Sequence, residues 1–342
     1  MTACRVSVLM PCHNASETLQ ETLLTIRNQS YGDYELLIVN DGSTDATASI
    51  LRNAAGDDPR IRVLEPGRMG LVAALNLGLA EAKGELVARM DADDRMRPER
   101  LYRQVIAMDR DPTLDLVASR VHLFPEEEIQ AGLRTYVHWQ NRCLTPHDHR
   151  HEIYWESPLA HPSVMFRRST VMALGGYRNG DFPEDYDLWL RMVAAGCRIR
   201  KLPEVLLEWR NRSKRLTWID PRYRRQAFDQ LRAHYLAGDR RLHGGRDVII
   251  VGAGRRTRQR VQQLLEYGFR VAAWVDVDPR RIGQVIQGAP VITLSDLPSW
   301  QGARALPPFM LCYVTNHGAR DTIQHQLEAM GFTKGRDWLM VG

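Results

Sequence analysis

Leu86-Val87-Ala88-Arg89-Met90-Asp91-Ala92-Asp93-Asp94-Arg95 is an apolar, strand-like run that empties into three carboxylates within four residues. Acids that close repel one another: at an effective dielectric of about 20, two unit charges about 4 Å apart cost about 4 kcal/mol. Two arrangements relieve the repulsion. A hard divalent cation that keeps open positions for substrate phosphates can sit among them, or water can solvate an exposed acidic turn. The stretch alone leaves both open.

Three strand–helix units precede it. Residues 6–10 read as a buried strand closed by Pro11, followed by the polar loop Cys12-His13-Asn14-Ala15-Ser16. Leu19, Thr22, Leu23 and Ile26 then fall at helical spacing, with Thr18 and Glu21 as a capping box. Residues 34–39 form a second strand that ends in Asn40-Asp41-Gly42-Ser43-Thr44-Asp45. Residues 61–64 form a third, which leads to Gly67-Arg68-Met69-Gly70 and a helix carrying Leu71, Ala74, Leu75 and Leu79. Strands alternating with helices of about 10–15 residues predict an α/β chain with a doubly wound, largely parallel sheet. Ligands bind such sheets beyond the carboxyl ends of the strands. The loops after strands two, three and four place acids, glycines and Arg68 on that edge, which favours the cation over the wet turn.

Downstream, Pro98 opens a helix and residues 114–123 read as a fifth strand. Residues 126–157 are less regular. No Cys or carboxylate pattern completes their His147-x-His149-x-His151 alternation as a metal site, so a solvated loop is expected. After the turn Gly175-Gly176-Tyr177-Arg178, Glu184 and Asp185 open a helix whose apolar face is Leu188, Met192 and Ala195. Acids there either cap the helix dipole or supply a general base.

A chain of 342 residues predicts two domains. An apolar content of 44% and a charged content of 25% are those of a globular protein with a real core. No apolar run approaches the ~18–20 residues of a membrane span, and the N-terminus lacks a signal-peptide pattern. Cys4, Cys12, Cys143, Cys197 and Cys312 form no CxxC and no zinc spacing, so reduced thiols in a cytoplasmic protein are expected. The net charge is +5, yet residues 198–260 carry 18 Lys/Arg against 6 Asp/Glu. That stretch either attracts phosphates or an anionic membrane surface, giving peripheral membrane contact, or presents arginines to solvent. No aromatic-interleaved basic motif supports nucleic-acid binding.

Four motifs together resemble the family-2 glycosyltransferases. They are Val8-Leu9-Met10-Pro11-Cys12-His13-Asn14, Val39-Asn40-Asp41-Gly42-Ser43-Thr44-Asp45, Met90-Asp91-Ala92-Asp93-Asp94 and Glu184-Asp185-Tyr186-Asp187-Leu188-Trp189. The resemblance covers residues 5 to about 210 and implies a GT-A fold, an α/β architecture with a doubly wound mixed sheet. It also implies inverting transfer of a sugar from a nucleotide diphosphate donor, UDP above all, with Mg²⁺ or Mn²⁺. The acceptor it implies is a hydroxyl of a glycan, a lipid-linked sugar or a protein, in bacterial surface or secondary glycan synthesis. By the same resemblance Pro11, His13, Asp41, Arg68 and Asp91 contact the donor nucleotide. Asp93, Asp91 and Asp94 share ribose and metal, Asp185 is the catalytic base and Glu184 stands beside it. His161, Gly176, Tyr177, Trp209 and Arg210 line the acceptor or sugar side. Trp209-Arg210-Asn211-Arg212 departs from the commoner Arg-x-His pattern.

The chemistry agrees with those roles. Displacement at an anomeric carbon needs a neutralised leaving diphosphate, a base for the acceptor proton and in-line approach of the two. One base without a second carboxylate nucleophile predicts inversion.

The first domain is read as residues 1–237, with a linker at 238–245 and a second domain at 246–342. Residues 247–251 are a strand that enters Gly252-Ala253-Gly254-Arg255-Arg256-Thr257, and a second strand ends at Asp276, 22 positions after Gly254. That layout is dinucleotide-binding, with Gly252, Gly254 and Asp276 as nucleotide contacts and Thr257 in place of the third glycine. Residues 276–291 also resemble the small Rossmann-like domains of sugar-modifying acyltransferases and of some fused bacterial glycosyltransferases. NAD, another nucleotide or coenzyme A is the ligand implied, against a domain that binds nothing. In a second reading the tail carries the function, as an oxidoreductase or nucleotide sensor, but no paired Tyr/Lys, Cys or His accompanies its glycine-rich turn. A nucleotidyltransferase would place glycines after the first strand, where Cys12–Ser16 has none.

Overall fold

The computed structural model describes residues 4–212, 220–302, 306–314 and 317–342. It divides into two compact units, one of Met1–His149 with Pro158–Tyr223, the other of Arg150–Ser157 with Arg224–Gly342.

The first unit opens with β1 (Val6–Cys12), α1 (Leu19–Arg27), β2 (Tyr34–Asn40), α2 (Thr47–Asp57), β3 (Ile61–Leu64), α3 (Leu71–Glu81) and β4 (Leu86–Arg89). It continues through β5 (Arg95–Met96), α4 (Arg100–Arg110), β6 (Leu116–Phe124), α5 (Ala131–Gln140), α6 (Pro146–Glu152), β7 (Met165–Arg167), α7 (Arg168–Ala173), α8 (Glu184–Ala194) and β8 (Ile199–Arg210). The sheet runs β3-β2-β1-β4-β7-β6-β8-β5. Its first four strands are parallel, in the register Val6↔Tyr34 and Leu9↔Arg89. β7 is antiparallel to β4 and β6, and β5 is antiparallel to β8, so the sheet is mixed. Every residue of β1, β2 and β4 is buried, as strands covered on both faces require.

Several local expectations differ. β1 does not stop at Pro11. Leu9 turns its carbonyl to Met90, and Pro11 faces the same side after pairing with β4 has ended, so its missing N–H breaks no ladder bond. The Thr18/Glu21 capping box does not form. The Thr18 and Thr22 hydroxyls instead donate to the Ala92 carbonyl, 3.1 Å each, and Thr22 also to that of Asp94 at 2.9 Å. α1 therefore braces the acidic turn. Residues 126–157, expected to be less regular, hold two helices, and the His alternation, expected on a solvated loop, lies on α6. A two-residue step on a helix turns side chains to different faces: His149 is buried while His147 is exposed. Burial beside Lys201 pulls His149 down to about 3.

The second unit contains α9 (Arg225–Ala237), β9 (Val248–Val251), α10 (Arg255–Leu265), β10 (Val271–Val275), β11 (Val285–Ile286), β12 (Ala289–Ile292), α11 (Leu297–Gly302), β13 (Phe309–Cys312), α12 (His317–Ala329) and β14 (Trp338–Met340). Its sheet runs β11-β12-β10-β9-β13-β14, parallel except for β11. The units divide at 223/224, ahead of the 237/238 boundary read from sequence. α9 belongs with the tail because Asp229 accepts from Nε and Nη2 of Arg260 on α10, at 3.1 and 2.7 Å. The expected linker is ordered: Asp239 caps a short turn at the Arg241 amide, 3.0 Å, and Leu242 is buried. Residues 150–157 are held by the same unit. The Gly342 amide donates to the Tyr154 carbonyl at 2.9 Å, and Glu152 pairs with Arg320 and Lys334. Among the described residues no helix is long and apolar enough to cross a membrane.

Candidate active site

β4 delivers the acids to the carboxyl edge of the parallel strands. One ligand atom from each of Asp91, Asp93 and Asp94 lies within 4.8 Å of the others. Cations already stand beside two of them. Arg89, the last residue of β4, is buried and contacts Asp91. Burial lowers its proton affinity, but the charge and hydrogen bond of Asp91, with the charges of Tyr177 and Asp94, together outweigh that and hold the guanidinium charged above the usual arginine value. Arg212 Nε lies 3.7 Å from Asp93 Oδ2. Asp94, 1% exposed, accepts the Arg210 amide at 2.7 Å. Repulsion among three acids is therefore relieved in part by the chain's own arginines. The ligand chemistry still fits a metal: three hard carboxylate oxygens gathered at one point suit Mg²⁺ or Mn²⁺.

Beside them the loops after β1, β2 and β3 interlock. Asp41, buried at the end of β2, pairs with Arg68 and accepts the Met69 and Gly70 amides at 2.6 and 2.9 Å. A nucleobase seeking Asp41 would have to displace the Arg68 side chain, which is 58% exposed. Gly42, at φ +63°, permits this contact, since a Cβ there would lie 2.7 Å from the Arg68 amide. His13 Nδ1 lies 2.9 Å from the Asp41 carbonyl, and Pro11 is in the buried strand above it.

The carboxylates of α8 are not equivalent. Asp185 is partly exposed, and its own amide neighbour, Tyr186, donates to it at 2.7 Å. Burial of its carboxyl, then the adjacent Glu184 charge, pushes Asp185 up to about 7. Glu184 is 2% exposed. The Tyr223 hydroxyl approaches both its oxygens, at 3.0 and 2.8 Å, and Arg222 Nη1 stands 3.9 Å away. Burial raises Glu184 too, opposed by the Tyr223 hydrogen bond and the Arg222 charge.

His161, Gly176 and Tyr177 form a buried support. His161 Nε2 lies 2.9 Å from the Tyr177 hydroxyl, and its ring meets Trp189 of α8 edge-on at 5.7 Å. Burial, then Arg89, drives His161 far below the ordinary histidine range, so it is neutral. Asn76 of α3 clamps the turn by accepting the Tyr177 amide and donating to its carbonyl, both at 2.8 Å. With side chains 6% and 3% exposed, His161 and Tyr177 back the site rather than line an open face of it. Arg210 is likewise committed, through the Asp93 carbonyl at 2.6 Å, Glu21 and the Phe124 ring. Trp209 is the half-buried penultimate residue of β8, paired with Leu123. Residues 213–219 of the basic run lie outside the described residues.

Sequence reasoning missed Arg89, Arg212, Tyr223 and Asn76. Arg89 had a readable signal, a lone charge inside an otherwise apolar strand. Tyr223 had none, because its partner lies 39 positions away.

In the second unit Gly252 has φ +105°, and a Cβ there would approach Thr257 Oγ1 to 3.2 Å. Asp276 does not stand open for a ribose. Its oxygens accept the Ala253, Val277 and Asp278 amides and Arg281 Nη1, at 2.8–3.0 Å. A carboxylate offers about four lone-pair sites, and four donors occupy them. The acid ties the glycine-rich loop to its own strand, so the residues present do not fit a ribose contact at Asp276. Around Gly254 an added Cβ would meet nothing within 4 Å, which leaves room beside the start of α10.

Comparison with known proteins gives two family matches, "Glycosyl transferase family 2" over residues 7–175 and "CoA binding domain" over residues 245–330. The O-antigen biosynthesis glycosyltransferase WbnJ of Escherichia coli is 32% identical over 215 residues, covering 61% of this chain and 80% of that one. The amylovoran biosynthesis glycosyltransferase AmsE of Erwinia amylovora is 30% identical over 207 residues, 60% of this chain and 75% of that one. The S. aureus TarS 1-349 structure in complex with UDP-GlcNAc superposes with a TM-score of 0.55 at 18% identity, covering 77% of this chain and 71% of that one. At that identity the likeness is one of fold.

Proposed function

The chain belongs to glycosyltransferase family 2, and we propose that its first unit moves a sugar from a UDP-linked donor to a hydroxyl of a glycan, lipid-linked or protein acceptor, with inversion. The observation that carries this reading is Arg89. One buried guanidinium contacts Asp91, and its charge acts on Asp185 and Glu184 as well. The acids that would hold the donor and the acid that would take the acceptor proton thus form one electrostatic unit.

Asp185 is the base in this scheme. The residue is partly exposed, while burial of its carboxyl and then the Glu184 charge push it up to about 7, where a general base both accepts and passes on a proton. Glu184 is occupied by Tyr223, so a single carboxylate is available, and a single base without a covalent nucleophile supports inversion. Asp91, Asp93 and Asp94 would hold Mg²⁺ or Mn²⁺. When bound, such a cation neutralises the leaving diphosphate as a Lewis acid. Arg212, beside Asp93, adds positive charge on the same side. Arg68 would swing from Asp41 as the base enters, with His13 and Pro11 alongside. UDP-GlcNAc in TarS supports the UDP donor, and WbnJ supports a place in glycan biosynthesis. The tail-centred reading is not favoured, because Asp276 is consumed by its own loop.

A donor screen tests the proposal: release of nucleoside diphosphate from UDP- and GDP-sugars, with and without Mn²⁺. Mn²⁺-dependent release from a UDP-sugar is expected. No release from any donor by folded protein would sink the reading.

A further inference from the structure

Two adjacent carboxylates at the start of one helix cannot both serve as the base, and the fold treats them differently. Glu184 is sealed in, 2% exposed, while Asp185 is partly open. The partner that seals Glu184 comes from the short turn Pro221–Tyr223, at the end of the first unit. That turn is itself fastened by a fork from Arg222 to Asp220, with Nη2 2.7 Å from Oδ2 and Nε 3.1 Å from Oδ1.

We propose that Tyr223 is a positioning residue for the base: by donating to the oxygens of Glu184 it keeps that carboxylate charged and turned inward, so that Asp185 alone faces the acceptor. The inference takes the word base from the transferase reading; the geometry stands without it.

The groups that face the pair come from three elements. Arg89 on β4 and Arg222 beside Tyr223 bring positive charge; the Tyr177 phenol, on the turn before α8, and the Tyr223 phenol complete the shell. Burial, and then the two carboxylates, keep the Tyr223 proton on its oxygen, so the phenol remains a donor throughout the working range. A hydrogen bond to the charged form of a carboxylate favours that form. With Glu184 held charged, its repulsion adds to the larger effect of burial in keeping the proton on Asp185 until near neutrality. The pair then follows a general pattern in which neighbouring acids are driven apart by their surroundings and take separate roles. Without the Tyr223 hydroxyl, Glu184 would retain its own proton, the repulsion would vanish, and Asp185 would ionise at lower pH.

Carbodiimide labelling reads this without any substrate, because only the protonated carboxyl reacts. Site-resolved mass spectrometry of the full chain between about pH 4 and 9, with exposed Glu127 as internal reference, gives the Asp185 midpoint. Tyr223→Phe is expected to lower that midpoint by about one pH unit. Glu184→Gln should lower it similarly, and the double variant no further than Glu184→Gln alone. The acid limb of Mn²⁺-dependent UDP release should move by the same amount, with the donor KM unchanged. A folded Tyr223→Phe chain with the wild-type midpoint overturns the proposal and leaves Tyr223 as packing only. If Tyr223→Phe does not fold, Glu184→Gln decides, and an unmoved Asp185 midpoint in that variant overturns the proposal equally. A midpoint that moves in Tyr223→Phe, together with no donor turnover by the wild-type chain, would leave the Tyr223 device standing and remove the transferase reading.

Discussion

Asp185 differs from an ordinary surface aspartate by the charge next to it and the dryness around it, and both have kinetic consequences. A carboxyl pushed up to about 7 is protonated below that pH and available as a base above it. Transfer should therefore rise with pH through about 7, not through the ordinary aspartate range near 4, and a pH–rate profile at saturating donor reads the difference. Asp185→Asn should lower kcat by about 10²–10⁴-fold while donor binding, followed by calorimetry with UDP, is retained. Turnover near wild type in that variant would withdraw the assignment. Asp93 is tested from the donor side. Asp93→Ala should abolish the response of activity to added Mn²⁺, and an unchanged titration curve would remove it from the metal set.

At the scale of elements, the turn between α7 and α8 shows how tightly the site's supports are drawn. Gly176 has φ +68°, and a Cβ there would come within 2.6 Å of Asn76 Oδ1, the atom that accepts the Tyr177 amide. Gly176→Ala should cost about 1–3 kcal/mol, as strained backbone at a clamped turn does, and urea unfolding of the full chain measures it. The same scale explains what the sequence made legible. β1, β2 and β4 were readable because a strand covered on both faces is a continuous apolar run. Asp41, Arg68, Asp91, Asp93 and Asp94 could be placed on one sheet edge because they follow β2, β3 and β4 at the carboxyl ends of the strands. β5 and β7, with two and three residues, carry no pattern of their own; pairing with β8 and with β4 makes them strands. Thr18 and Glu21 spelled a helix cap locally, but the carbonyls of Ala92 and Asp94, more than seventy positions away, took the hydroxyls of Thr18 and Thr22. Arg210 met Asp94 across 116 positions. Local pattern cannot announce partners that only the closed sheet brings together.

At the scale of the whole molecule, the mixed sheet and the second, smaller sheet agree with the architecture read from the motif order, while the division between them falls earlier along the chain than composition suggested. Whether the tail takes part in chemistry is open to a mild substitution. Gly254 has ordinary backbone angles and open space around it, so Gly254→Ala should fold normally and leave sugar transfer by the first unit measurable. Complete loss of transfer in a folded Gly254→Ala chain would make the tail catalytic. The obvious cruder experiment, deleting the tail, misleads. Residues 150–157 are encoded inside the first unit's stretch of chain but are housed by the second, where Ile153, Tyr154 and Trp155 are buried and Arg320 lies 4.7 Å over the Trp155 ring. A gene stopped after codon 223 would still make that octapeptide and strip away its housing. Its product would carry a sticky patch, prone to aggregate. Such a protein is the wrong negative control, because its inactivity would report a homeless segment rather than a missing catalyst.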